Sequence, residues 1–124
     1  MIIWLTGPPD AGKTTIINEM VNQLRGKDIS YAVFDGEPIK NFLRDLIITA
    51  SIWDLKLKDA VTVHVNTPIY ICALRNTRGQ YNRSLPTVYV PDNPDLVLCT
   101  VCASPEENAR KVLEYYEDRK LREV

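Results

Sequence analysis

Gly7-Pro8-Pro9-Asp10-Ala11-Gly12-Lys13-Thr14 sets two glycines, a lysine and a hydroxyl in the spacing G-x-x-x-x-G-K-[ST]. Glycines allow a turn tight enough to aim successive backbone N–H groups at phosphate oxygens, and a helix starting there adds its partly positive end. On this reading Gly7, Pro8, Pro9, Asp10, Ala11, Gly12, Lys13, Thr14 and Thr15 cradle the phosphates of a nucleotide. Lys13 bridges the outer phosphates and the Thr14 hydroxyl ligates Mg²⁺. The flanks fit, since the apolar run Ile2-Ile3-Trp4-Leu5 precedes the loop and a helical pattern from Thr15 to Arg25 follows it. Asp35 closes the next apolar run, Tyr31-Ala32-Val33-Phe34, and could serve a phosphotransferase in two ways. It could orient or deprotonate an attacking hydroxyl, or hold a water on the magnesium shell. A turn Asp that caps a following helix is the plainer alternative. Glu37 is a second candidate carboxylate, and just before Pro38 it also suits a helix start.

The elements that must position these groups follow from short apolar runs alternating with helical patterns, the signature of βαβ units around a parallel sheet. The sequence predicts strands at Ile2–Leu5, Tyr31–Phe34, Leu46–Ile52, Val61–Val65 and Leu96–Cys99, the third too apolar for an exposed edge. Helices are predicted from Lys13 to Leu24, stopped by Gly26, from Pro38 to Arg44, from Thr67-Pro68 to about Asn76, and from Ser104-Pro105 to about Arg122. The first buries Ile16, Ile17, Met20, Val21 and Leu24; the last buries Val112, Leu113, Tyr116 and Leu121. Residues 79–94, rich in proline and turn residues, form a lid-like loop. The expected architecture is α/β, a three-layer fold with a five-stranded, mostly parallel sheet flanked by helices, in a single domain spanning residues 1–124. Ligands of such sheets bind outside the carboxyl ends of the strands. There the phosphate loop, Asp35-Gly36-Glu37 and Trp53-Asp54 converge.

At 124 residues and a net charge of −1 the chain offers no electrostatic footprint for nucleic acid. No run approaches the ~20 apolar residues that span a bilayer, and the first run lacks the basic leader of a signal peptide. Cys72, Cys99 and Cys102 are odd in number, without paired metal spacing, and read as small buried hydrophobes in a reducing cytoplasm. His64, the single histidine, alternates with Val63 and Val65 and reads as structural, and the charges of the last helix read as its solvated face. Arg75 and Arg78 share a helix face, where they serve either the helix dipole or a nucleotide.

These residues resemble a known family, the adenylylsulfate kinases, which belong to the P-loop kinases. Ile3-Trp4-Leu5-Thr6-Gly7 is similar to the family's opening strand, and Val33-Phe34-Asp35-Gly36-Glu37 with Lys40 to its D-G-D-x-x-R segment. Val63-His64-Val65-Asn66-Thr67-Pro68 with Cys72 is similar to V-x-V-D-T-P-x-x-x-C. Arg75-Asn76-Thr77-Arg78-Gly79-Gln80-Tyr81 is similar to R-D-x-K-G-L-Y, and Pro91-Asp92-Asn93-Pro94-Asp95 to P-E-N-P-E. The resemblance implies transfer of the ATP γ-phosphate to the 3′-hydroxyl of adenylylsulfate, with Mg²⁺. It implies that Lys13 and either Asp35 or Glu37 act in catalysis, and that Thr14 and Asp35 face the metal. Arg75 and Arg78 would lie against the nucleotide, with Arg78 opening the lid, and Lys40 would take the place of a substrate-binding Arg. Family members are often dimers, so a homodimer is the expectation.

The chain also departs from the family. It lacks a helical segment between Asp45 and Leu46, has Trp53-Asp54 where the family has Ser-Pro, and loses the lid's K-x-F-T-G with its stacking aromatic. Tyr89 or Tyr81 is expected to replace that aromatic, and Trp53 to line the acceptor side. Lys40 for Arg removes planar, bidentate recognition of an oxyanion. Two further readings therefore stand beside the first: a kinase of another small hydroxyl acceptor, and a nucleotide-binding module without catalysis.

Overall fold

The computed structural model describes residues 1–79 and 88–123. Its elements are β1 (Ile2–Thr6), α1 (Lys13–Leu24), β2 (Tyr31–Asp35), β3 (Leu46–Ser51), β4 (Ala60–Asn66), α2 (Ile69–Arg75), β5 (Leu96–Cys99) and α3 (Pro105–Arg122). The five strands form one sheet in the order β2-β3-β1-β4-β5. Every pair is parallel, with Thr6 opposite Ser51 on one side and His64 on the other. Parallel pairing requires each connection to cross over, so all strand ends that carry chemistry point the same way.

Alternation along the strands assigns the two faces. Ile3 and Leu5 of β1, Leu46, Ile48 and Ala50 of β3 and Val61, Val63 and Val65 of β4 join one core with Ile16, Ile17, Met20 and Leu24 of α1. Ala109, Val112, Leu113 and Tyr116 of α3 complete it. Trp4 and Ile47, on the other face, are buried outside that core. The Trp4 indole is covered by the Tyr89 ring, stacked at a centroid distance of 5.3 Å and 6° between planes. Tyr89 is fixed there by its N–H, which donates to the Ile52 carbonyl at 2.9 Å. A connecting segment thus does on this face what paired helices do on the first.

The helix ends have local causes. Ser104 caps α3, its hydroxyl accepting from the Glu107 N–H at 3.1 Å, with Pro105 at the first position and Glu106 and Glu107 in the first turn. Gly26, at φ 81, turns the chain away after α1.

Two expectations are corrected. Residues 36–45 form no helix. There the Asn41 side chain accepts from the Leu43 N–H at 2.8 Å and the Ser30 hydroxyl from the Asp45 N–H at 2.9 Å, while Phe42 and Leu43 stay exposed. A short segment with side-chain partners for its own amides and no face to pack has little reason to be helical. Leu121 is 75% exposed. Helical spacing after Tyr116 reaches Arg119 and Lys120, and residue 121 falls off the stripe.

Met20 is fully buried where α1 meets the core. Met20→Ala is expected to lower unfolding stability by about 2–5 kcal/mol, read as a lower urea midpoint at unchanged slope.

Candidate active site

Gly7 must be glycine for two reasons. Its φ is 148, and a Cβ there would meet the Val65 carbonyl oxygen at 2.9 Å. The loop therefore leaves β1 pressed against the end of β4. Asp10 (φ 59) and Gly12 (φ 113) take positive φ and bend the chain back toward α1. The Ala11 N–H donates to the Pro8 carbonyl at 3.2 Å, closing the turn on itself. The Lys13 ammonium folds over it, donating to the Gly7 and Pro8 carbonyls at 2.5 and 2.7 Å.

A cleft of about 810 Å³ opens at the carboxyl ends of the strands. Its floor is the phosphate loop from Pro9 through Thr15; Gly7 and Pro8 lie behind it. Asp35, Gly36 and Glu37 enter from the end of β2 and Trp53 from the end of β3. Arg75 and Arg78 line it from the end of α2 and the residues that follow. Within the cleft the Thr14 hydroxyl donates to Asp35 Oδ2 at 2.6 Å, joining the two groups assigned to the metal side. Asn76, between the arginines, donates to Asp10 Oδ2 at 2.7 Å and ties the start of the lid to the loop.

Burial pushes the Lys13 ammonium down to about 8, against the opposing pull of the Asp35, Cys72 and Asp10 charges. A phosphate placed here would supply the missing counter-charge. His64 shares a hydrogen bond with the Thr6 hydroxyl at 2.9 Å, and burial, then the Lys13 charge, lower its pKa. Its partner in the sheet fits the structural reading.

Several sequence candidates are not gathered here. Lys40 is exposed and outside the cleft lining, and Asp54 turns to the Lys56 N–H at 2.8 Å. The Tyr89 ring is taken up by Trp4. Tyr81, the other stacking candidate, and half of the lid-like loop lie outside the described residues.

Conversely, Thr100 and Ala103 of the β5–α3 turn and Pro105 and Asn108 of α3 line the cleft and were not read from sequence as site residues. The signal available was Cys99-Thr100-Val101-Cys102. Cys99 and Cys102 are joined in a disulfide with Cα atoms 5.3 Å apart, which corrects the reading of both as small buried hydrophobes; Cys99 is half-buried and Cys102 exposed. The turn between β5 and α3 brings the two side chains together, and a separation of three residues is too local to read as paired without it. Cys72 is buried, as expected, its thiol donating to the Thr67 carbonyl at 3.8 Å.

The family model described as adenylylsulphate kinase matches residues 1–53, from β1 through Trp53. The adenylyl-sulfate kinase of Halothermothrix orenii is 28% identical, with 94% of this chain and 89% of that protein covered. The adenylyl-sulfate kinase of Thermodesulfovibrio yellowstonii is 23% identical over 95% of this chain and 84% of its own length. In sequence the chain is similar to the adenylyl-sulfate kinases. Its fold matches the APS kinase of Mycobacterium tuberculosis solved with AMPPNP and APS, at TM-score 0.72, 21% identity and 94% and 96% coverage of the two chains. Shikimate kinase from Acinetobacter baumannii, solved with shikimate, matches at TM-score 0.59, 17% identity and 97% and 94% coverage. The alignment to the first relative runs to 165 positions against the 124 residues of this chain. The chain therefore lacks internal segments that the relative carries. Among the described residues no helix is long and apolar enough to cross a membrane.

Two outcomes follow for this kinase. Phosphate binding draws a proton onto Lys13, so nucleotide affinity is expected to be flat below about pH 8 and to fall as pH rises above it, where the free enzyme has lost that proton. The slope approaches about tenfold per pH unit, and Lys13→Met abolishes it; calorimetric titration in buffers of differing ionisation enthalpy reads the proton uptake. Cys102→Ser, by opening a very short covalent loop, is expected to lower stability by about 2 kcal/mol on the loop-entropy account. Urea unfolding with and without dithiothreitol checks it, since reductant should shift the wild type and not the variant.

Proposed function

We propose that this chain transfers the γ-phosphoryl group of ATP to the 3′-hydroxyl of adenylylsulfate. The observation that carries the reading is the meeting of Thr14 and Asp35 at 2.6 Å on the wall of the cleft whose floor is the phosphate loop. The names of the relatives and the ligands of the Mycobacterium tuberculosis structure support the choice of nucleotide and acceptor.

The amides of the loop and the amino end of α1 would hold the phosphates, and Lys13 would leave the Gly7 and Pro8 carbonyls to follow charge onto the transferring group. Arg75 and Arg78 bring further positive charge to the same cleft. Asp35 would accept the proton of the attacking hydroxyl; the oxygen then bonds to phosphorus as the bond to the ADP oxygen breaks. A hydroxyl beside a carboxylate is the oxygen donor set that Mg²⁺ takes, and no larger group of metal-binding side chains occurs among the described residues. Thr14 and Asp35 would hold the ion, which would supply positive charge against the phosphates. Glu37 lines the acceptor side and, unlike Asp35, makes no recorded contact with Thr14.

The acceptor would lie between Trp53 and the 36–38 segment, which narrow the cleft opposite the arginines. A second reading keeps the ATP half and exchanges the acceptor for another small alcohol. It is favoured by Lys40 lying off the cleft and by the Tyr89 ring being engaged elsewhere. With the first reading go a single domain of residues 1–124, a homodimer, and the cytoplasm, where its ATP is available.

The test is ADP release from MgATP with adenylylsulfate as acceptor. Turnover above the ATP-only background is expected, and Asp35→Asn should lower kcat by about 10²–10⁴-fold while ATP still binds. Turnover with a different alcohol alone would select the second reading. ATP binding with turnover on no acceptor would leave a nucleotide-binding module.

A further inference from the structure

Thr67 follows β4 and takes no part in the chemistry proposed above, yet its hydroxyl is spent on the phosphate loop. It donates to the Ala11 carbonyl at 2.6 Å, and Thr67 and Ala11 are 6% and 0% exposed. A hydroxyl has one proton to give. With that proton on the Ala11 oxygen, the contact between the Thr67 and Thr100 hydroxyls must have Thr100 as donor. Thr100 is held in turn by its N–H on the Asn66 carbonyl at 3.3 Å and by the Cys99–Cys102 bond that brackets it. The ends of β4 and β5 thus reach the loop through two hydroxyls in series.

The atom they hold matters because a trans peptide is planar. The Ala11 C=O and the Gly12 N–H belong to one such plane and point in opposite directions. Fixing the carbonyl against Thr67 fixes the amide on the other side. Gly12 is the residue least able to resist a turn of that plane, since it has no side chain and sits at φ 113. Were the plane to rotate, the carbonyl oxygen would replace an N–H in the phosphate-binding concavity, and an acceptor would face an anion.

We propose that Thr67 is a positioning residue that locks the Ala11–Gly12 peptide in its anion-binding orientation, with Thr100 orienting the Thr67 hydroxyl. The inference rests on the reading of the loop as the ATP site. It predicts a hierarchy that a packing role would not produce. Thr67→Val keeps shape and loses the donor; Thr67→Ser keeps the donor and loses a methyl.

The experiment is calorimetric titration of wild type, Thr67→Val, Thr67→Ser and Thr100→Val with ATP and Mg²⁺, alongside the ¹H–¹⁵N signal of the Gly12 amide. Thr67→Val is expected to weaken ATP by about tenfold or more, a single buried hydrogen bond left unmade. Thr100→Val should weaken it less, and Thr67→Ser should bind as wild type does. The Gly12 signal should move or broaden in Thr67→Val and stay in place in Thr67→Ser. If the valine variant does not fold, the serine and Thr100→Val variants still order the effect by hydroxyl against methyl. Equal affinity in wild type and Thr67→Val would overturn the proposal, as would a serine variant weaker than Thr100→Val. Failure of the wild type to bind ATP would instead remove the ATP site itself, and this inference with it.

Discussion

A backbone that offers its amides to an anion has to dispose of its carbonyls elsewhere. In this loop three of these disposals are visible. The Gly7 and Pro8 oxygens lie under the Lys13 ammonium, Pro8 also accepts the Ala11 amide, and Ala11 is held by Thr67. The parallel sheet makes these disposals available, because β1 and β4 are adjacent and run the same way, so residues after β4 arrive beside the turn that follows β1. The same geometry forbids a side chain at Gly7, where the Val65 oxygen stands. Loop, sheet order and glycine position are one constraint seen from three sides.

The molecule meets this constraint with little material. Helices α1 and α3 and the strands between them account for the main core. The opposite face relies on connections, and the 36–45 segment crosses from β2 to β3 without a helix. Its apolar residues Phe42 and Leu43 remain exposed next to a small hollow lined by Pro38, Ile39, Leu55 and Leu57. The loop side of the cleft is built from regular element ends, and the side of Trp53 and residues 36–38 from irregular chain. The two halves of the site therefore differ in how firmly the fold determines them.

That difference also governs how far the sequence could be read. β1 and β3 were legible because burial on both faces leaves continuous apolar runs, β4 because its buried positions alternate, and α1 and α3 because a packed helix repeats its apolar positions and declares its ends through Gly26 and Ser104-Pro105. The phosphate loop was legible because its chemistry is local. Contacts set by tertiary approach were not. Thr100 and Asn108 reach the cleft only because β5 is the neighbour of β4, and the Cys99–Cys102 bond depends on how the chain turns between β5 and α3. Lys40 and Tyr89 mark the opposite failure. Lys40 matched a motif position and Tyr89 was the aromatic left to replace a lost one, but Lys40 lies off the cleft and Trp4 claims the Tyr89 ring.

The two tryptophans stand in opposite surroundings. Trp4 is 3% exposed beneath the Tyr89 ring and Trp53 is 60% exposed at the cleft. Their emission should separate into a blue-shifted component, sensitive to whether the 88–90 segment is seated on the sheet, and a red-shifted, quencher-accessible component that senses the acceptor side. The polypeptide thus carries its own pair of optical reporters, one for each region whose arrangement depends on connecting chain, and no dye need be attached to follow either.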